Sequence, residues 1–148
     1  MFLDSAWLAF TLIINNQEYL FAGIGLIAAL ALLPRKKVFF EAAAITGLLS
    51  FALKAFFHQA RPCLTQAALV ACPPDFGFPS GHAAFSGLLL VGSLGSPWAW
   101  LFAPLSLLIS YSRVFLGVHT AEQVVAGLAL SVAVYLAVWR LNAEAGQK

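Results

Sequence analysis

Lys54, Arg61 and Arg113 are three of only eight basic side chains in a strongly apolar chain of 148 residues, and they fall in an ordered frame with two histidines. The frame runs Lys54-x6-Arg61-Pro62, then Pro79-Ser80-Gly81-His82, then Ser112-Arg113-x5-His119. Cations in or beside membrane-spanning segments are costly, so they persist where an anion meets them. Arg61 and Arg113 offer planar forks that match phosphate oxygens, and Lys54 offers a compact point charge. A Pro-Ser-Gly-His turn that opens a helix adds outward backbone N–H groups near Ser80, Gly81 and His82, an anion nest at the positive helix end. Gly81, lacking a Cβ, lets a ligand come close to the backbone. Histidine both exchanges protons near neutral pH and acts as a nucleophile. These are the parts of a phosphoryl-transfer site, where a protein mainly positions the group and stabilises spread negative charge. The plainer alternative has His82 and His119 merely capping helix ends at an interface.

The elements that position these residues must be membrane helices. At 61% hydrophobic and 9% charged, with a mean hydropathy of +0.89, the chain has too little polar surface to coat a water-soluble globule. Crossing about 30 Å of hydrocarbon takes roughly 20 apolar helical residues. Four or five such stretches nearly exhaust the length, leaving one domain, residues 1–148, and no soluble module. The expected fold is all-α, an integral membrane bundle of about five transmembrane helices plus a short N-terminal interfacial helix. Met1 to Asn16 forms that surface helix. Tyr19 to Leu33 gives a short first span closed by Pro34, and Val38 to Phe57 gives the second. Pro79 to Leu94, Trp98 to Val118 and Ala121 to Leu141 give the third, fourth and fifth. Between Arg61 and Phe78, prolines, both cysteines and Asp75 replace helix with a structured loop. Gly23, Gly25, Gly47, Gly87 and Gly127 are expected to let neighbouring helices approach closely. The N-terminus lacks the charged region of a cleaved signal peptide, so the spans themselves are expected to drive insertion. No basic run interleaved with aromatics points to nucleic acid.

Arg35, Lys36, Lys37, Arg140 and Lys148 gather on one side when five spans are counted, which the positive-inside rule makes the cytoplasm. Lys54, Arg61 and Arg113 then share the outer face with His58, His82 and His119. Cys63 and Cys72 lie in the outer loop. In an oxidising compartment they can close a small disulfide that stiffens it; otherwise they are two unpaired small residues. The cysteines are spaced poorly for zinc and the few carboxylates do not converge, so no metal site and no cofactor are expected.

The three-part frame resembles the signature of the type-2 phosphatidic acid phosphatase and haloperoxidase superfamily, over roughly Leu48 to Gly127. The resemblance implies a helical bundle and a phosphohistidine mechanism. By motif position His82 becomes the general acid that protonates the leaving group, and His119 the nucleophile. Lys54, Arg61, Ser80, Gly81 and Arg113 become phosphate ligands. His58 falls in the variable part of the first motif and is expected only to hydrogen-bond a neighbour or headgroup. Haloperoxidase chemistry fits poorly, because those relatives are soluble.

One position departs from the family pattern. Its third motif usually places an aspartate four residues after the nucleophilic histidine, where this chain has Gln123 beside Glu122. A Gln123 amide oxygen can still accept the His119 N–H one helical turn away, orienting the ring more than activating it. Thr120-Ala121-Glu122-Gln123 also reads as a capping box, and both roles are compatible. Glu122 is the alternative source of the missing charge. Dolichyl-diphosphate phosphatases and glucose-6-phosphatases in the same family also carry glutamine here. The expectation is a metal-independent phosphatase of a membrane lipid phosphate or diphosphate, its site on the outer face of a prokaryotic plasma membrane. Polyprenyl diphosphate is favoured, with phosphatidylglycerol phosphate, phosphatidate and a lipid A phosphate open. The other readings are a phosphotransferase sharing the covalent step and an inactive lipid-phosphate binder.

Overall fold

The computed structural model describes residues 2–16 and 18–146. They form six α-helices, α1 (Phe2–Asn16), α2 (Glu18–Leu32), α3 (Lys36–Phe57), α4 (Gly81–Ser93), α5 (Ala99–Phe115) and α6 (Ala121–Ala145), with one 3-10 turn at Pro62–Leu64. No strand occurs among the described residues.

Of the five expected spans, α3 and α6, with 22 and 25 residues, are each long and apolar enough to cross a bilayer unaided. α4 and α5 are apolar but shorter, at 13 and 17 residues. Both fall short of their expected bounds for local reasons. Ser80, the N-cap, is extended, so the third span begins only at Gly81. α5 stops at Phe115 because Gly117, at φ 75°, takes a left-handed turn that ends the helix.

α4 lies at the centre, packed against α6, α5 and α3. Leu33, Phe39, Leu88, Leu89, Phe102 and Tyr135 are large members of the buried apolar core. Many outward-facing side chains are large and apolar as well, Phe51 being 76% and Trp100 88% exposed. That is the surface of a protein solvated by lipid, not water. Trp7 of α1 packs on Tyr111 and Phe115 of α5, with ring centroids 5.7 and 5.9 Å apart.

α6 approaches the first turn of α4 so closely that a Cβ at Gly127 would lie 2.5 Å from the Ser80 carbonyl oxygen and 3.1 Å from Ala84 N. Gly25 and Gly87 make similar close approaches, whereas a Cβ at Gly23 or Gly47 would meet nothing within 4 Å. The expectation of close packing therefore fails at those two glycines, which face open space. At the end away from Ser80, Asn142 Nδ2 donates to Glu41 Oε2 at 2.7 Å and ties α6 to α3.

The antiparallel order brings the C-terminal ends of α3 and α5 together with the N-terminal ends of α4 and α6. Every element of the three-part frame lies at that end. α3 is closed there by His58, which adopts the left-handed conformation at φ 47° and donates its backbone N–H to the Lys54 carbonyl at 3.1 Å. The following loop is closed by a disulfide between Cys63 and Cys72, their Cα atoms 5.5 Å apart.

Candidate active site

His119 sits in the short turn between α5 and α6 and is 3% exposed. Its Nδ1 is 3.0 Å from Gln123 Oε1, and its Nε2 is 2.7 Å from Arg61 Nη1. A guanidinium can only donate and an amide oxygen can only accept, so the tautomer follows: Nδ1 carries the proton and Nε2 the lone pair. Burial, followed by the positive charge of Arg61, pushes the His119 pKa down to about 3. Arg113 and Lys54 act on the ring in the same direction. The imidazole is therefore neutral at neutral pH, its Nε2 lone pair accepting from Arg61 Nη1.

Gln123 does more than orient the ring. Its Oε1 also accepts from the Thr120 backbone N–H at 3.3 Å, and the Thr120 hydroxyl accepts from Gln123 N at 3.3 Å, closing the capping box of α6. Its Nε2 donates to the Ala60 carbonyl at 3.0 Å and to Gln59 Oε1 at 3.2 Å. One buried amide thus joins the third motif to the first, which a carboxylate could not do because it has no hydrogen to donate. A Cβ at Gly77 would lie 2.6 Å from Gln123 Nε2, so Gly77 makes room for this amide. Glu122 is exposed, and it is Gln123 that reaches His119.

Arg61 is 5% exposed and held on three sides. Its Nε donates to the Asp75 carbonyl at 2.9 Å, its Nη2 to Asp75 Oδ1 at 2.6 Å, and its Nη1 to the Val118 carbonyl at 3.2 Å. Lys54 Nζ donates to Asp75 Oδ2 and to the Phe76 carbonyl, both at 2.6 Å. Burial works against the Asp75 carboxylate, yet Lys54 and Arg61 outweigh it and hold the pKa below the ordinary value of 3.8. Asp75 was not among the candidates from sequence. The available signal was its solitude, since no other acidic residue lies between Glu41 and Glu122.

Ser80 is fully buried, and its backbone N–H donates to the Gln123 carbonyl at 2.9 Å. Its hydroxyl is buried without a hydrogen-bond partner, which suits a group awaiting a ligand. Gly81 opens α4 with nothing within 4 Å of where a Cβ would be, so space lies beside the first residue of the helix. His82 is half-buried in that first turn. Arg113, in the last turn of α5, is 1% exposed, and its carbonyl accepts from the Val118 and His119 N–H groups, each at 3.2 Å. His58 is exposed, with Nδ1 3.3 Å from the Phe56 carbonyl and its ring edge-on to Phe76. Among the described residues no three His, Cys, Asp or Glu side chains gather as metal ligands would. A cleft of about 120 Å³ runs between α3 and α4 from Gly81 to Leu88, lined also by Thr46, Ser50 and Phe85.

Residues 35–147 match the PAP2 superfamily. Over 58 residues the chain is 38% identical to an undecaprenyl-diphosphatase of Sulfolobus acidocaldarius, a stretch covering 37% of this chain and 28% of that relative's length. The fold is similar to the crystal structure of the first transmembrane PAP2 type phosphatidylglycerolphosphate phosphatase from Bacillus subtilis. That match has a TM-score of 0.73 at 19% identity, over 97% of this chain and 78% of the other.

Proposed function

The chain belongs to the PAP2 superfamily, and from that membership and the geometry around His119 we propose that it is an integral membrane phosphatase acting on the terminal phosphate of a lipid phosphate or diphosphate. The observation that carries the proposal is the state of His119. It is neutral, its tautomer is fixed by Gln123, and its Nε2 lone pair points at the guanidinium of Arg61.

In the proposed reaction the substrate phosphoryl group enters among Lys54, Arg61, Arg113 and the first turn of α4. Arg61 Nη1 transfers its hydrogen bond from Nε2 to a phosphoryl oxygen, which frees the lone pair. Nε2 then attacks phosphorus, the P–N bond forms, and the P–O bond to the leaving group breaks. His82 donates its proton to the departing oxygen. Water next attacks the phosphohistidine, giving its proton to His82, and the P–N bond breaks to release inorganic phosphate. Gln123 Oε1 stabilises the Nδ1–H as positive charge develops on the ring, the orienting half of what a carboxylate would supply. The cations stabilise the charge on the equatorial oxygens. No step requires a metal ion.

A membrane lipid as substrate is supported by the apolar outer surface and by the cleft between α3 and α4, which begins beside Gly81 and is lined mainly by small and apolar side chains. A polyprenyl diphosphate is the preferred substrate within this class, a choice that rests on Gln123 and on the partial likeness to an undecaprenyl-diphosphatase. With the arginine and lysine residues at positions 35 to 37 in the cytoplasm, the site would open at the outer face of a plasma membrane.

The test is phosphate release by the detergent-solubilised protein from polyprenyl diphosphate, phosphatidylglycerol phosphate, phosphatidate and glucose 6-phosphate, with EDTA present. Release from a lipid, lost in His119→Ala, supports the phosphatase. Silence across the panel in a folded protein, or full dependence on a metal, sinks it.

A further inference from the structure

Asp75 carries none of the three motifs, yet its carboxylate bridges two of their cations, with Oδ1 2.6 Å from Arg61 Nη2 and Oδ2 2.6 Å from Lys54 Nζ. The same short segment grips both cations a second time, through the Asp75 carbonyl to Arg61 Nε and the Phe76 carbonyl to Lys54 Nζ. Its own position is fixed by the Gly77 N–H donating to the Gln59 carbonyl at 2.8 Å and by the Cys63–Cys72 bridge upstream. We propose that Asp75 is a positioning residue for phosphoryl transfer, whose carboxylate holds Lys54 and Arg61 in the one arrangement from which both reach the phosphoryl oxygens beside His119.

The proposal rests on the phosphatase reading above, and the geometry argues it in two ways. First, Asp75 and the Val118 carbonyl occupy Nε, one side of Nη2 and one side of Nη1, so the guanidinium plane is clamped. The Nη1–H on His119 Nε2 is then aimed at the place where phosphorus must arrive. Second, the charges balance. Lys54, Arg61 and Arg113 face a phosphoryl dianion and one carboxylate, whereas without Asp75 two closely placed cations, one of them buried, would repel each other before substrate binds.

A different role is available to a carboxylate here, that of an internal anion which occupies the cations until phosphate displaces it. The two roles predict opposite signs. A positioning residue acts on the transition state, so its loss lowers kcat and weakens the binding of orthovanadate, which mimics the transferring group. A displaced competitor, once removed, leaves kcat intact and tightens orthovanadate.

The experiment compares the wild-type chain, Asp75→Asn and Asp75→Glu, all solubilised in detergent, with His119→Ala in parallel. It measures kcat and KM for polyprenyl diphosphate and, independently of turnover, orthovanadate binding by calorimetry. Asp75→Asn should lower kcat about tenfold or more and weaken orthovanadate by a similar factor, with KM within about threefold. Asp75→Glu keeps the charge but displaces it by one methylene, so it should show the same pattern at smaller size, which also covers the case in which the asparagine variant fails to fold. Unchanged kcat, or tighter orthovanadate, in an active enzyme overturns the role of Asp75 alone. A folded wild-type protein that neither releases phosphate nor binds orthovanadate overturns the phosphatase reading as well.

Discussion

Arg61 Nη1 lies 2.7 Å from His119 Nε2, joining the first motif to the third across 58 residues of chain. The contact has a chemical meaning because the two groups are not partners of opposite charge. A cation donates to a neutral imidazole, and the nearness of that cation, added to burial, keeps the proton off Nε2. The same N–H that occupies the lone pair is placed to take a phosphoryl oxygen when the lone pair is used.

This arrangement predicts a pH dependence of folding. The His119 pKa is lowered from 6.5 to about 3 in the folded protein, so the unfolded chain binds a proton there that the native site refuses. The stability His119 contributes is fully present above the unfolded value and is lost as pH falls from about 6.5 toward 3. Asp75, lowered from 3.8, loses its contribution only at more acidic pH, which leaves the upper part of the window to His119. Thermal unfolding in detergent at pH 7, 6, 5 and 4 should show a falling Tm in the wild type and a shallower fall in His119→Asn. Parallel slopes in the two proteins would contradict it.

Restoring the family's usual aspartate should harm this protein. Gln123→Asp shortens the side chain and turns an amide that donates to Ala60 O and Gln59 Oε1 into a carboxylate facing those acceptors. Losing two donated bonds and adding that repulsion should cost about 2 kcal/mol or more in stability and at least tenfold in kcat. Gln123→Asn keeps the donor and should retain more stability than the aspartate. Thermal unfolding and phosphate release on the three proteins decide the matter, and an aspartate variant as stable and active as wild type would show that the bridge to Gln59 and Ala60 is unimportant.

How much of this was legible in the sequence depended on the range of the interaction. The helices were visible in the apolar runs, and the capping box at Thr120 in four consecutive residues. The family frame brought Lys54, Arg61, Ser80, Gly81, Arg113 and His119 together at one end, since each lies where a helix starts or stops. Helix ends were less legible. A left-handed Gly117 shortens α5, and an extended Ser80 delays the start of α4, and both features belong to backbone geometry. The expected packing role of Gly23 and Gly47 failed because a glycine in an apolar run does not reveal which face meets a neighbour. Gln123 could be paired with His119 from the four-residue spacing, but its bonds to Gln59 and Ala60 span more than sixty residues. Asp75 was passed over for the same reason. Its two partners lie 21 and 14 residues away across a loop whose path local propensity does not set.

The Cys63–Cys72 bridge should matter to the site as well as to the fold, because the loop it closes leads from Arg61 to Asp75. Closing a loop of this length is worth about 2–3 kcal/mol in the chain-entropy description. Replacing both cysteines with serine should lower Tm by several degrees and lower kcat, as Lys54 and Arg61 lose a fixed support. A double variant with wild-type Tm and kcat would show that the remaining hydrogen bonds hold the loop unaided.

The central claim is that His119 carries the phosphoryl group, and rapid quenching of a turnover reaction tests it most directly. With lipid substrate labelled at the terminal phosphate, the wild-type protein should acquire label that is stable to base and labile to acid, mapping to the peptide containing His119, while His119→Ala acquires none. Phosphate release at the normal rate with no trapped label, or label that persists in His119→Ala, would contradict it.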